Sequence, residues 1–239
     1  MSDERRALIE NLVAANRILG HEGILDAFGH VSVRDPDNPQ HFLLSRARSP
    51  EMVQVEDILE FELDGTPVTS PNAVVPYVER FIHGAIYEAR PEINAVCHNH
   101  ALSILPFGIS TSVELRAVIN TARFLGPSVP VWDIAAEFGA ESDLLVRDVE
   151  MGRSLARSVG DGSVALLRGH GSVLASDDVA RLVTMCIGMD RNARVLLDAA
   201  RLGSYRPLEP GECTAVGYDS GRGGDNRAWE YFKSRAGVK

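Results

Sequence analysis

Apolar residues recur at helical spacing near the start of the chain, where Leu8, Leu12, Ala15 and Leu19 mark one face of a helix over residues 5–19. Gly20 or Gly23 can end it. The period then shortens to two. Gly29–Arg34 alternates apolar and polar residues, Asp35-Pro36-Asp37-Asn38-Pro39 turns the chain, and His41–Ser45 returns as a second strand. Ile58–Leu63, Asp64-Gly65 and Thr66-Pro67-Val68 predict a further strand and a tight hairpin. Between Pro76 and Pro91 the helical period resumes in Val78, Ile82, Ala85, Ile86 and Ala89, with Glu79 and His83 one turn apart beside that stripe.

Asn94–His100 is a short strand whose side chains alternate, so Val96, His98 and His100 share one face and Ala95, Cys97 and Asn99 the other. Ser103–Phe107 and Val113–Val118 are candidate short helices and Gly126–Val131 an extended segment, with most of residues 101–140 left open. Glu141–Val159 reads as a helix and Val164–Leu167 as a strand opening into Arg168-Gly169-His170-Gly171. Ser176-Asp177-Asp178 can cap a long helix carrying Val179, Val183, Cys186, Asp190, Ala193, Leu197 and Ala200. A Gly/Pro-rich tail, 207–224, runs on to Ala228–Phe232. The pattern predicts an α/β fold with a mixed, largely antiparallel sheet flanked by helices, one domain over residues 1–239 with 207–239 as its C-terminal tail.

With 239 residues, 45% of them hydrophobic, the chain can bury a full core. A formal net charge of −9 argues against nucleic acid or an anionic membrane as partner, so an anionic substrate has to be met by a local cluster. The polar N-terminus leads into no signal-type segment and no uncharged run is long enough to span a bilayer, so a cytoplasmic protein is expected. Cys97, Cys186 and Cys213, widely spaced, read as reduced thiols.

His98 and His100 carry the first chemical signal. Their Cα atoms sit about 6.5–7 Å apart at ordinary strand rise, close enough for two imidazoles to meet around one metal ion. A histidine pair is equally compatible with a satisfied core, and a metal needs a third ligand. His170, between two glycines after a strand, can supply it or be a plain loop residue.

The ordered set is more specific than its parts. Glu79 with His83 four residues on, then His98-Asn99-His100, then Arg168-Gly169-His170-Gly171 resembles the class II aldolase/adducin family from about residue 8 to about residue 200. The resemblance implies that His98, His100 and His170 bind one divalent transition metal, Mn or Zn first, with Fe or Co as alternatives. It makes Glu79 the acid/base and a fourth ligand, and implies a homotetramer with sites at subunit interfaces.

The sugar-phosphate aldolases of that family carry Gly-Asn-x-Ser, Thr-Pro-Ser-Gly and Ser-Ser-Glu around the substrate phosphate. The matching positions here are Gly29-His30-Val31-Ser32, Ser45-Arg46-Ala47-Arg48-Ser49-Pro50 and Tyr77-Val78-Glu79. Donors for a phosphate are lost and two guanidinium forks suited to carboxylates are gained.

This departure resembles the decarboxylase branch, whose members act on 3,4-dihydroxyphthalate or on a hydroxy-methylpyridine dicarboxylate in aromatic catabolism. The expected reaction is metal-dependent, non-oxidative loss of carbon dioxide from an ortho-hydroxy aromatic dicarboxylate, with 3,4-dihydroxyphthalate to protocatechuate as first choice. Glu79, or His30 as its rival, would handle the proton; Gly29, Ser45, Arg46 and Arg48 would bind substrate, and Tyr231 or Trp229 would close over the ring. A retro-aldolase acting on an unphosphorylated hydroxy acid is the second reading, and a non-catalytic adducin-like module the third.

Overall fold

The computed structural model describes residues 1–69, 74–215 and 222–238. Its strands are β1 (His30–Arg34), β2 (His41–Ser45), β3 (Ile58–Glu62), β4 (Ala95–Asn99), β5 (Val131–Trp132), β6 (Val164–Leu167) and β7 (Gly171–Ser176). They form one seven-stranded sheet in the order β3-β2-β1-β4-β7-β6-β5. Every neighbouring pair is antiparallel except β5 with β6. The helices are α1 (Asp3–His21), α2 (Arg80–Ala89), α3 (Leu105–Ile109), α4 (Ile134–Phe138), α5 (Val149–Val159), α6 (Val179–Leu202), α7 (Pro210–Thr214) and α8 (Arg222–Arg235).

Strand alternation divides the core between the two faces of the sheet. Val31, Val33, Ala95, Cys97 and Leu174 pack under α1 and α6 with Leu12, Leu19, Val183 and Cys186. Phe42, Leu44, Val96, Ala165 and Val173 pack under α2 and α5 with Ile82, Ile86, Leu155 and Val159. By the same alternation His30, Ser32 and His98 belong to the α2/α5 face. Among the described residues no helix is long and apolar enough to cross a membrane.

Several boundaries differ from the sequence pattern. Helix α2 begins at Arg80, so Val78 lies outside the apolar stripe, 43% exposed, and Glu79 stands at the N-cap position without a side-chain cap bond. Its carboxylate is thereby free for other partners. Helix α5 begins at Val149 rather than Glu141, because Ser142 and Asp143 accept the N–H groups of Leu144 and Leu145 in local turns and Leu144 takes φ 66°. Asp148 then caps the helix by accepting from Met151 N–H.

Strand β7 was not anticipated. Gly171–Ser176 is too short and too evenly small to show a strand period, and it is fixed by pairing with β4 and β6. Val113–Val118 is not helical. In the 207–239 segment, residues 216–221 lie outside the described residues, and α7 and α8 flank them. Helix α8 packs on α1 and α6.

Candidate metal and substrate site

Two irregular ends and one strand end converge on the α2/α5 face. Strand β4 delivers His98 and then His100, the turn between β6 and β7 delivers His170, and the N-cap of α2 delivers Glu79. The turn holds its shape through Gly169 at φ 68° and an ion pair of Arg168 with Asp133 at 2.7 Å. One ligand atom from each of Glu79, His98, His100 and His170 lies within 4.8 Å of the others. Glu79 Oε2 is 3.4 Å from His98 Nε2 and 3.5 Å from His170 Nε2, and its Oε1 accepts Val146 N–H at 3.0 Å.

The surrounding bonds decide which nitrogens face inward. His98 Nδ1–H donates to the Ser172 carbonyl at 3.1 Å, and His100 Nδ1–H donates to the Asp26 carboxylate at 3.1 Å. With Nδ1 of each ring engaged outward, Nε2 is the nitrogen left to face inward, and the two Nε2 atoms stand 2.9 Å apart. Two inward-facing imidazole nitrogens at that distance suit a cation held between them. The donor set of imidazoles and one carboxylate fits a divalent transition metal, and the partners on Nδ1 are those that orient such ligands.

Electrostatics agree. Burial, reinforced by neighbouring imidazoles, pushes His170 down to about 4 and lowers His100 as well. Burial pulls Glu79 upward, but the His98 and His170 rings and Val146 N–H outweigh it and hold the carboxyl at about 2. These three residues therefore stand in the protonation states a cation needs.

Gly171 is required by this convergence. A Cβ there would lie 2.1 Å from the Asn99 carbonyl oxygen and 3.0 Å from His100 Cδ2. Gly171→Ala is expected to push β4 from β7 and weaken metal binding about 10–100-fold, as displaced supporting contacts do, measured by competition with a chelating dye. Unchanged affinity would contradict this role.

Beside the cluster, His30 is buried, 5.3 Å from the His98 ring and 4.4 Å from the Tyr77 ring between centroids. Its Nδ1 is 2.7 Å from His83 Nε2; His83 Nδ1 is 2.6 Å from Ser32 Oγ, and Ser32 Oγ is 2.8 Å from Tyr87 Oη. Burial first, then the neighbouring His98 imidazole, lowers His83 to about 3, and burial with the neighbouring imidazoles lowers His30 well below its ordinary value, so both rings are neutral.

Arg46 and Arg48 are held by one buried carboxylate. Asp57 accepts Arg46 Nε–H at 2.6 Å and Arg48 Nη1–H at 2.9 Å. Against the pull of burial, the guanidiniums and Gln54 N–H keep Asp57 below the usual carboxylate range. The Tyr77 hydroxyl donates to the Arg48 carbonyl, so Tyr77 joins the arginine loop to His30. Continuing the β1–β2 register two residues beyond Ser32–Leu44 places Arg46 across from His30, itself across from His98.

Of the other expected site residues, Gly29 N–H is taken by Asp26 at 3.0 Å, and a Cβ at Gly29 would approach the His98 carbonyl oxygen to 3.1 Å, so its smallness serves packing. Ser45 is fully buried at the end of β2. The structure does not bring Tyr231 or Trp229 to the cluster of their own chain. Both lie on α8, whose partners α1 and α6 cover the other face of the sheet, with Trp229 packed into that core and Tyr231 53% exposed. Asp26, Asp57, Tyr77, Ser32 and Tyr87 were missed as site residues. Only the i, i+4 spacing of His83 and Tyr87 on α2 hinted at a shared face.

Residues 10–197 match the family described as Class II Aldolase and Adducin N-terminal domain. The chain is 33% identical to decarboxylase tropJ of Talaromyces stipitatus over 78% of this chain and 74% of that protein. It is 30% identical to the 3,4-dihydroxyphthalate decarboxylase of Arthrobacter keyseri over 81% of this chain and 79% of that one. The L-fuculose 1-phosphate aldolase of Glaciozyma antarctica shares the fold with a TM-score of 0.77 at 24% identity, covering 98% of this chain and 91% of that one. A match of this extent, on a chain whose sheet gathers three histidines and a glutamate at one point, means that the protein belongs to the class II aldolase and adducin family.

Proposed function

We propose that this carbon–carbon lyase is a metal-dependent, non-oxidative decarboxylase of an ortho-hydroxy aromatic dicarboxylate. 3,4-Dihydroxyphthalate, giving protocatechuate, is the first candidate and a hydroxy-methylpyridine dicarboxylate the second. The observation that carries the reading is the pair Arg46 and Arg48, fixed by Asp57 and linked through Tyr77 to His30, beside the histidine cluster. Guanidinium forks suit planar carboxylates. Decarboxylases among the relatives support it.

Glu79, His98, His100 and His170 would hold the cation. When bound, it supplies a Lewis acid for an oxygen next to the breaking bond, whether the ion is Mn, Zn, Fe or Co. Glu79, ionised in the free site, takes the proton of the ring hydroxyl and delivers it to the neighbouring ring carbon that carries the leaving carboxylate. The bond to that carboxylate breaks, its electron pair returns to the ring oxygen, carbon dioxide departs, and one proton from solvent restores the hydroxyl. Arg46 and Arg48 keep the second carboxylate in place. His30, neutral and buried, serves as a hydrogen-bonding group rather than as the proton source.

Phe28, Leu102 and Ile109 are 71%, 81% and 63% exposed, with Phe28 next to Gly29 and Leu102 two residues beyond His100. Uncovered apolar residues beside a site favour a second copy closing over it, as in the expected homotetramer. The same assembly would let Tyr231 of another copy reach the ring.

Incubation of metal-loaded protein with 3,4-dihydroxyphthalate is expected to release one carbon dioxide per protocatechuate formed. An aldehyde from a hydroxy acid, with no carbon dioxide from either diacid, would favour the retro-aldolase reading instead. Arg48→Met is expected to raise KM for the diacid about 10–100-fold with a smaller change in kcat, the loss of about 1.5–3 kcal/mol for a charged hydrogen bond. Equal KM for variant and parent would remove Arg48 from the substrate contacts.

A further inference from the structure

The row His30–His83–Ser32–Tyr87 runs from beside the cluster along the interface of α2 with β1, and every link in it is buried. Nothing in the cation site or the arginine loop requires it. Its hydrogen count, however, is determined from one end.

Burial pushes the Tyr87 hydroxyl above its ordinary pKa, so it keeps its proton. Among the described residues the only acceptor within reach of that proton is Ser32 Oγ. With the phenol donating to it, the serine hydrogen is left for His83 Nδ1 at 2.6 Å. A neutral His83 that accepts at Nδ1 carries its own hydrogen on Nε2, and this points at His30 Nδ1, 2.7 Å away. His30 thus accepts at Nδ1 and carries its hydrogen on Nε2. The opposite direction would leave the buried Tyr87 proton without an acceptor.

We infer that Ser32, His83 and Tyr87 are positioning residues that lock His30 in the Nε2–H form and turn it into a fixed hydrogen-bond donor for an anionic oxygen of the substrate beside the cation site. His30 Nε2 lies on the ring edge turned away from His83, and nothing among the described residues hydrogen-bonds to it. The ring stands against His98 and Tyr77, between the cluster and the arginine loop. A neutral imidazole donor in a dry site stabilises developing negative charge without having to give up its proton. The use made of this donor rests on the proposed decarboxylation; its tautomer does not.

The test is 15N magic-angle-spinning NMR of histidine-labelled protein, metal-free and zinc-loaded, with the His30 signals identified by their loss in His30→Gln. The expected result is His30 protonated at Nε2 in both forms. Ser32→Ala removes the donor to His83 Nδ1, so His83 and His30 are expected to shift toward the Nδ1–H form. Turnover of the diacid should fall about 10–100-fold, mainly in kcat, with Ser32→Thr restoring both. Tyr87→Phe frees the serine hydrogen to rotate and should give a mixture of tautomers with an intermediate rate.

His30 protonated at Nδ1 in the parent protein, or a Ser32→Ala spectrum identical to it, would overturn the locking. A shifted tautomer with undiminished turnover would overturn the donor role. A parent protein that does not decarboxylate the diacids while showing the Nε2–H form and its shift in Ser32→Ala would overturn the substrate reading and leave the locking intact.

Discussion

Replacing His98 with alanine is expected to strip the bound cation and slow turnover about a thousandfold or more. His98 is fully buried, and both Glu79 and His100 address its Nε2, at 3.4 Å and 2.9 Å. Its removal takes away a ligand and the ring against which His100 and His170 are arranged, with centroids 4.7 Å and 4.8 Å away. A Lewis acid contributes several kcal/mol to stabilising charge at a breaking bond, and about 4 kcal/mol corresponds to the stated factor. The fold should survive. The change leaves the Ser172 carbonyl without its ring partner, at a cost of about 1–3 kcal/mol, within the reserve of a domain this size. Elemental analysis, circular dichroism and carbon dioxide release on the same sample separate the two effects. Chelation should reproduce the loss in the parent protein, and only the parent should recover when the ion is returned. A folded His98→Ala protein with a full complement of metal and normal turnover would refute the assignment.

The parts of this site that the sequence disclosed are those fixed by short-range geometry. Strand alternation put His98 and His100 on one face, and the structure has them there with Nε2 atoms converging. His170 stood out through its glycines, and the Gly171 contact with the Asn99 carbonyl shows the reason, a close approach of β7 to β4. Glu79 was read on a helix face but occupies the N-cap, a difference of less than one turn that frees its carboxylate. The remainder depends on partners far along the chain. Asp57 meets Arg46 and Arg48 only because β3 lies beside β2, and Asp26 meets His100 across 74 residues. Ser32, His83 and Tyr87 become one hydrogen-bonded row only when α2 lies down on β1. No local period encodes these meetings. Strand β7 was hidden for a related reason, since its short run of small and apolar residues is held by neighbours on both sides rather than by its own pattern.

The metal-free protein is expected to lose at least about 4 kcal/mol of stability between pH 7 and pH 5. Two histidines set the figure. His83 and His170 fall to about 3 and about 4 in the folded chain, against about 6.5 unfolded. Between those limits the unfolded chain binds more protons, so stability rises with pH and is lost as pH falls below about 6.5, at about 2 kcal/mol for each group by pH 5. His30 acts in the same direction. Glu79, depressed to about 2, adds a loss of the same sign only below its unfolded value near 4.5, so it does not mask the histidines in this window. Urea midpoints of chelator-treated protein at the two pH values measure the difference, and His83→Gln should narrow it by about 2 kcal/mol. The loaded protein should add a second signature, because protonating the imidazole ligands releases the ion and with it the stabilisation that binding contributes. Equal midpoints for the metal-free protein at both pH values would mean that these buried imidazoles accept protons without unfolding, and that the site is wetter and looser than its packing implies.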